Sequence, residues 1–187
     1  MVKVIMHGCN GKMGQVITGI IAEDKDAEIV AGVDTSNHIQ NTYPVFGNIA
    51  DCNVEADVVI DFCAAPAVDG LLKYCVEKQV PCVLCTTGLS EAQLAAVEEA
   101  SKKVAILRSA NMSLGVNMLL KILKEAAGIL APAGFDIEIV EKHHNLKVDA
   151  PSGTALALAD SINEELGNQN EYVYDRSQVR QKRSEKE

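Results

Sequence analysis

The sequence predicts an α/β protein: a Rossmann-type, doubly wound parallel sheet followed by an incomplete α+β substrate domain. Three observations support this prediction. Short apolar strands alternate with amphipathic helices through residues 1–111, a glycine-rich loop directly follows the first strand, and the pattern changes at residue 112. Alternating strands and helices are typical of parallel sheets, because each right-handed crossover packs a helix against the sheet.

Five strands and three helices are predicted in residues 1–111, the dinucleotide-binding domain. The apolar runs that predict strands are residues 2–6, 28–33, 56–62, 80–85 and 104–107. The amphipathic runs that predict helices are residues 12–23, 67–78 and 91–103, the last with Ser90 as its N-cap. The polar stretch at residues 35–52 predicts a loop with one short element.

Residues 112–187 predict a second domain, which is incomplete at its C-terminal end. A long helix is expected over residues 112–131, a strand over residues 135–144, and a further helix with Ser152 or Thr154 as its N-cap. A single strand has no partner with which to form a sheet. The chain is therefore expected to be truncated, and these 187 residues alone to bind nucleotide weakly, lack significant activity and assemble irregularly.

Composition excludes several classes of partner. A net charge of −9 and a pI near 4.9 argue against nucleic acid or an anionic membrane. The N-terminus lacks the features of a signal peptide, and no apolar run approaches the ~18 residues that span a bilayer. We therefore expect a cytoplasmic protein. Cys82 and Cys85 have C-x-x-C spacing within an apolar run, so we interpret the six cysteines as buried thiols and expect no metal.

The glycine loop, GCNGKMG at residues 8–14, has the form G-x-x-G-x-x-G. In a dinucleotide site, Gly8 would allow the tight turn, Gly11 the approach of a pyrophosphate, and Gly14 close packing of the helix. A plain glycine turn is the alternative. Asp34 ends the second strand, where a carboxylate binds the adenosine ribose and repels a 2′-phosphate. With no arginine beside it, this pattern favours NADH over NADPH.

The ends of the later strands carry further candidate residues, because doubly wound sheets bind ligands at their carboxyl edges. Asp61, Phe62 and Cys63 close the third strand, residues 85–88 (CTTG) the fourth, and residues 109–112 (SANM) follow the fifth. Each segment could be an ordinary turn. Together they predict the rim of a nicotinamide pocket.

Residues 141–155, EKHHNLKVDAPSGTA, concentrate the polar chemistry of the second domain. His143, His144 and Lys147 offer proton donors and positive charge, and a Ser-Gly-Thr helix start offers backbone N–H groups. This combination suits a small anionic substrate that is bound and protonated. A solvated loop before a capped helix is the alternative.

These motifs, with VVIDF, TTG and SANMSLGVN, occur in order along the whole chain, which resembles the dihydrodipicolinate reductase family. The resemblance implies NAD(P)H-dependent reduction of 4-hydroxy-tetrahydrodipicolinate, a small dicarboxylate, in diaminopimelate and lysine biosynthesis, and a homotetramer for the complete protein. It implies catalytic roles in proton transfer for His143 and Lys147. The substrate-binding residues it implies are His144, Ser152, Gly153 and Thr154. The cofactor-binding residues it implies are Gly8, Cys9, Asn10, Gly11, Lys12, Met13, Asp34, Cys85, Thr86, Thr87, Ser109, Ala110, Asn111 and Met112.

One position departs from the family pattern and two other functions stay open. The family commonly has glycine at the position of Cys85, which leaves a backbone contact there but makes close approach of the cofactor harder. Another small-acid dehydrogenase would explain the nucleotide half but not the motif at residues 141–155. An inactive NADH-binding fragment or a redox-sensing module would bind NADH without turnover.

Overall fold

The computed structural model describes residues 1–109, 111–147, 150–184 and 186. The chain forms two compact units, Met1–Ser109 and Ala110–Glu187.

The first unit is built on a sheet of six parallel strands. The strands are β1 (Val2–His7), β2 (Ala27–Val33), β3 (Val45–Phe46), β4 (Val58–Asp61), β5 (Cys82–Leu84) and β6 (Ile106–Arg108). Their order in the sheet is β3-β2-β1-β4-β5-β6. This is the doubly wound Rossmann order, and it confirms the predicted fold class. The chain reverses direction across the sheet between β1 and β4, which is where ligands of such sheets bind.

Three helices of the first unit connect the strands: α1 (Lys12–Glu23), α2 (Val68–Lys78) and α3 (Glu91–Ser101). The Ser90 side chain accepts a hydrogen bond from the Gln93 backbone, and the Gln93 side chain returns to the Ser90 backbone, so the predicted N-cap is confirmed as a full capping box. Residues 35–52 contain two short elements, β3 and a 3₁₀ turn at Ile49–Asp51. The prediction of a single short element in this stretch was therefore wrong. The second element forms because Asn48 caps the turn.

The core of the first unit is aliphatic, as the scarcity of aromatic residues requires. Ile5 and Val59 from the sheet are fully buried together with Leu71 of α2 and Leu84 of β5. The described residues also form a second, smaller hydrophobic cluster, whose buried members are Met6, Cys9 and Tyr43. Burial of these side chains supplies most of the driving force for folding this unit.

The described residues of the second unit form two helices, α4 (Leu114–Leu130) and α5 (Gly153–Glu165), which pack against each other. Ser113 and Ser152 cap them, Ser152 by accepting a hydrogen bond from the Ala155 backbone N–H at 3.1 Å. The predicted strand over residues 135–144 was wrong, since these residues have no strand structure. A strand exists only where a ladder partner is present, and no described segment of the second unit pairs with this one.

None of the helices in the described part of the chain combines the length and apolar character that crossing a bilayer requires.

Two glycines of α1 offer a matched test of how tightly this helix packs. A Cβ at buried Gly14 would lie 2.1 Å from the Gly8 carbonyl oxygen, whereas a Cβ at exposed Gly19 would meet nothing within 4 Å. We expect Gly14→Ala to lower the free energy of unfolding by about 1–3 kcal/mol through overpacking. Gly19→Ala should raise it by about 0.5–1 kcal/mol, because alanine loses less entropy in a helix. Urea denaturation followed by circular dichroism measures both, and equal effects of the two substitutions would contradict this account.

Candidate active site

The glycine loop is shaped by the close approach of two backbones. Gly8 has a φ of +84°, and a Cβ there would lie 2.7 Å from the Phe62 carbonyl oxygen, so this position requires glycine. The Gly8 N–H donates to the Val33 carbonyl at 2.8 Å, which connects the loop to the end of β2. The loop therefore lies at the carboxyl ends of β1, β2 and β4.

Helix α1 presents an open N-terminus to this loop. Gly11 is its N-cap and, within the described residues, makes no side-chain capping bond. The first N–H groups of a helix need partners and carry partial positive charge, so this end is a ready site for a phosphate. Lys12 and Met13 are exposed in the first turn. The shape fits a pyrophosphate that contacts the backbone of residues 8–13.

Asp34 follows β2 and borders the glycine loop. Its Oδ2 accepts a hydrogen bond from the Asn10 backbone N–H at 3.0 Å, and its Oδ1 accepts one from the Ser36 N–H at 2.9 Å. Each carboxylate oxygen has a second lone pair. The two backbone donors thus fix the carboxylate and leave it able to accept hydrogen bonds from sugar hydroxyls.

The Asn10 side chain makes hydrogen bonds to the neighbouring loop, at Ser36 and Asn41. Its amide donates to the Ser36 carbonyl, and its Oδ1 accepts from Asn41 Nδ2 at 2.8 Å. Asn10 is nearly buried by these contacts. A cofactor contact at Asn10 would therefore use the backbone.

Three other predicted cofactor residues are also buried. Burial raises the pKa of Cys9 to about 11, and the charge of Asp34 adds to this effect. Burial also raises the pKa of Cys85 to about 11, and there the charge of Asp61 contributes. Both thiols are consequently neutral near pH 7. The Thr86 hydroxyl lies 2.6 Å from Asp61 Oδ2, so it faces the interior. By contrast, Thr87 is exposed.

The sequence reasoning named Asp61 and Cys63 as strand-end residues but missed His7 and the polar cluster that the three form at the end of the sheet. Asp61 is fully buried, and its Oδ1 lies 2.6 Å from Nδ1 of His7. Burial lowers the pKa of His7, but hydrogen bonds with Asp61 and Cys63 outweigh this and raise it to about 9. The signal was available: both residues end apolar strands that become neighbours, with His7 and Asp61 paired in register.

In the second unit, Glu141 joins the two ends of the motif at residues 141–155. Its Oε1 accepts a hydrogen bond from the Ser152 N–H at 2.9 Å, and its Oε2 lies 2.7 Å from His143 Nε2. Hydrogen bonds with the side chain of Ser152, with His143 and with the Ser152 backbone lower the pKa of Glu141 to about 2. The carboxylate thus places the imidazole next to the start of α5. Glu141 was not among the predicted site residues, although it is the first residue of the motif.

The starts of α4 and α5 are linked by two predicted site residues. Asn111 Nδ2 donates to the Thr154 hydroxyl at 3.2 Å. The Asn111 carbonyl accepts from Asn117 Nδ2 at 2.9 Å, which fixes this segment against the first turn of α4. Gly153 and Thr154 form the first turn of α5. Met112, which follows Asn111 in the chain, is exposed.

Four predicted site residues remain: His144, Lys147, Ser109 and Ala110. His144 Nδ1 accepts a hydrogen bond from the Leu146 N–H at 3.1 Å, and the Lys147 N–H donates to the His144 carbonyl at 3.2 Å, so a tight turn connects the two. The Ser109 N–H donates to the Leu84 carbonyl in the first unit. Ala110 lies outside the described residues.

The sheet order, the glycine loop, the open helix end and Asp34 together define a dinucleotide-binding protein of the Rossmann class. The family description "Dihydrodipicolinate reductase, N-terminus" matches residues 2–112, and "Dihydrodipicolinate reductase, C-terminus" matches residues 115–187. The chain belongs to the dihydrodipicolinate reductase family, which confirms the resemblance seen in its motifs.

Relatives and a solved structure agree with this assignment. The chain is 53% identical to a 4-hydroxy-tetrahydrodipicolinate reductase of Caldanaerobacter subterraneus subsp. tengcongensis, covering 94% of this chain and 69% of the relative. It is 50% identical to the Clostridium tetani enzyme of the same name, covering 95% and 69%. A dipicolinate-bound dihydrodipicolinate reductase from Paenisporosarcina sp. TG-14 superposes with a TM-score of 0.74 at 27% identity, covering 96% of this chain and 72% of that one.

The low pKa of Glu141 predicts how this segment responds to acid. The carboxyl titrates near pH 4.5 when unfolded and near pH 2 when folded, so its stabilising contribution is present above pH 4.5 and is lost as the pH falls toward 2. We expect Glu141→Gln to be less stable than the wild type at pH 7, with the difference disappearing in this window. Thermal unfolding at several pH values measures the effect.

The exposed Glu171→Gln provides the control for general loss of a carboxylate, because its side chain is not part of the motif. It should follow the wild-type pH dependence. A constant difference between Glu141→Gln and the wild type from pH 7 to pH 2 would show that the Glu141 charge does not stabilise the fold.

Proposed function

We propose that this protein reduces 4-hydroxy-tetrahydrodipicolinate to tetrahydrodipicolinate with NAD(P)H, in diaminopimelate and lysine biosynthesis. The observation that carries the proposal is the Glu141 bridge, which brings His143 to the start of α5 beside Ser152. A proton donor next to an anion-binding helix end matches a substrate that carries carboxylates and must be protonated. Family membership supports the identity of that substrate.

The nucleotide would be bound by the carboxyl edge of the first unit. The backbone of Gly8, Cys9, Asn10, Gly11, Lys12 and Met13 would face the pyrophosphate, and Asp34 the adenosine ribose. Thr87, with the backbone of Cys85 and Thr86 and the segment at residues 109–112, would contact the nicotinamide end. The bound reduced nicotinamide supplies a hydride. The backbone approach at Gly8, which leaves no room for a Cβ, supports this fit.

The second unit would hold the substrate and supply protons. Ser152, Gly153 and Thr154 would bind a carboxylate at the N-terminus of α5, with help from His144 and the charge of Lys147. His143 would donate a proton once hydride addition has made the ring system basic, and Lys147 would serve as a second donor. Glu141 would stabilise the protonated imidazole and hold its orientation, as the buried aspartate does in serine protease triads.

We also propose a preference for NADH, a homotetrameric assembly for the complete protein and a cytoplasmic location. The fixed carboxylate of Asp34 supports the first, since it would repel a 2′-phosphate. Exposed apolar side chains on α4, among them Leu114, Met118 and Ile122, support subunit contacts in the second unit. Light scattering after size exclusion tests the assembly, and a monomer would contradict it.

The proposed activity is tested by measuring NADH binding and NADH oxidation on the same sample of the complete protein. Substrate-dependent oxidation supports the reductase. Binding without oxidation would instead favour the NADH-binding module that the sequence left open, and oxidation with a different small acid would favour another dehydrogenase.

Cofactor preference should follow the charge at the end of β2. We expect wild-type protein to bind NADH more tightly than NADPH. Asp34→Ala with Thr35→Arg should narrow or reverse the preference, because repulsion is removed and a phosphate partner is added. Fluorescence titration with both nucleotides measures this. Asp69→Ala, an exposed carboxylate on α2, is the control that should leave the preference unchanged; a wild-type preference for NADPH of tenfold would contradict the assignment of Asp34.

Proton transfer should be separable from nucleotide binding. In the complete protein, we expect His143→Ala to reduce kcat by about 10²- to 10⁴-fold, the usual contribution of general acid catalysis, with little change in NADH affinity. Lys147→Ala should reduce kcat and also raise KM, because its charge would face a carboxylate. Steady-state kinetics and NADH titration measure the two effects. The neighbouring exposed Lys142→Ala is the control, and near-normal kinetics in both site variants would exclude this motif as the active site.

A further inference from the structure

Three side chains form a line at the carboxyl edge of the sheet in the first unit. Asp61 Oδ1 lies 2.6 Å from His7 Nδ1, and His7 Nε2 lies 3.8 Å from the sulfur of Cys63. The two ring nitrogens thus face different partners, a carboxylate on one side and a thiol on the other. Asp61 and His7 are buried, whereas Cys63 is partly exposed, so the expectation of six buried thiols was wrong at this residue.

This arrangement has the geometry of an activated nucleophile. A cysteine becomes reactive when an adjacent imidazole takes its proton and a third group orients the imidazole. Asp61 is held in place by the Thr86 hydroxyl at 2.6 Å and by the Cys63 N–H at 3.3 Å, so the orienting group is itself fixed. Nothing in the proposed reductase reaction uses this thiol.

The surrounding charges favour an imidazolium next to the sulfur. Although burial lowers the pKa of His7, its hydrogen bonds with Asp61 and Cys63 raise it to about 9. The titratable groups that interact with this cluster from neighbouring segments are the thiols of Cys9, Cys75, Cys82 and Cys85. Burial raises the pKa of Cys9, so it is neutral near pH 7. For Cys75, a hydrogen bond with Cys82 is the main cause of a lowered pKa, and the charge of His7 contributes.

We propose that Cys63 is a modification site: a thiol activated by His7 and Asp61 that reacts with low-molecular-weight disulfides. His7 Nε2 takes the thiol proton, and the resulting thiolate attacks one sulfur of the disulfide. A new S–S bond forms to Cys63 as the old one breaks, and the departing thiolate accepts the proton from His7. The disulfide is the oxidant, and one thiol is released for each Cys63 that is modified.

The same three side chains form the candidate metal group among the described residues, with donor atoms within 4.8 Å of one another. The short contact to Asp61 engages Nδ1, which leaves Nε2 and the Cys63 sulfur as the free donors. Two protein ligands are fewer than the three or four of a zinc site. The hydrogen-bond pattern therefore favours a reactive thiol over a metal centre.

Modification of Cys63 should affect nucleotide binding, a consequence that rests on the proposed function. A Cβ on Gly8 would lie only 3.3 Å from the Cys63 backbone nitrogen, so Cys63 directly adjoins the glycine loop. A peptide-sized adduct on its sulfur would fill space at the edge where the cofactor is proposed to bind. The thiol would thereby couple nucleotide binding to the redox state of small thiols.

The activation is tested by labelling the full chain with iodoacetamide and following each cysteine by peptide mass spectrometry. Wild-type Cys63 should react at least tenfold faster at pH 7 than Cys63 in His7→Gln. Its rate should change less than threefold between pH 6 and pH 8, whereas an ordinary thiol loses about tenfold per pH unit below its pKa of ~8.5. The wild-type pH profile needs no substitution, so the test holds even if His7→Gln does not fold. A profile that follows an ordinary thiol would overturn the proposal.

The consequence is tested with glutathione disulfide. Treated wild-type protein should carry one glutathione on Cys63 and bind NADH at least tenfold more weakly, with recovery after dithiothreitol, while NADH affinity in Cys63→Ser should not respond to the treatment. Fast labelling of Cys63 with unchanged NADH affinity would overturn the steric coupling. If untreated protein does not bind NADH, the proposed function is contradicted. The labelling kinetics would still decide whether Cys63 is an activated thiol. Tight binding of one Zn²⁺, lost in both His7→Gln and Cys63→Ser, would overturn the thiol site in favour of a metal site.

Discussion

The nucleotide half of this protein depends on the contact between the glycine loop and the first turn of α1. Neither Gly8 nor Gly14 has room for a single additional carbon, because each would meet backbone atoms rather than movable side chains. This closeness sets the helix N-terminus at the carboxyl edge of the sheet. It also places the loop backbone beside Asp34, whose two oxygens are held by backbone N–H groups. The candidate phosphate and ribose contacts thus follow from one steric constraint.

Hydrogen bonds to the buried carboxylate of Asp61 connect the strand ends at the edge of the sheet next to this loop. An unpaired buried carboxylate would be strongly destabilising, and Asp61 avoids this through His7, Thr86 and the backbone of Cys63. His7 ends β1, Cys63 follows β4 and Thr86 follows β5, so the cluster connects the ends of these three strands. Such a network positions its members accurately because each hydrogen bond restricts the others. As a result, the fixed imidazole of His7 faces the partly exposed thiol of Cys63.

The second unit organises its site by a different means. Glu141 is partly exposed, and water screens its interactions, so the stability that its contacts contribute is modest. Their value is geometric, because two hydrogen bonds bring residues that are eleven positions apart to one helix end. The Asn111–Thr154 contact similarly connects the starts of α4 and α5. Few residues define this site, and most of them come from a single short stretch of sequence.

The sequence by itself determined the features that depend on local spacing. Apolar periodicity predicted the Rossmann strands and α1, Ser90 and Ser152 were readable as caps, and the glycine spacing and Asp34 indicated the nucleotide edge. Tertiary structure decided everything that needs a distant partner. Residues 135–144 alternate like a strand yet form none, since a ladder requires a neighbour. Thr86 turns inward because Asp61 needs a donor, and His7 reaches Asp61 and Cys63 only because parallel pairing brings the ends of β1 and β4 together across fifty-four residues of chain.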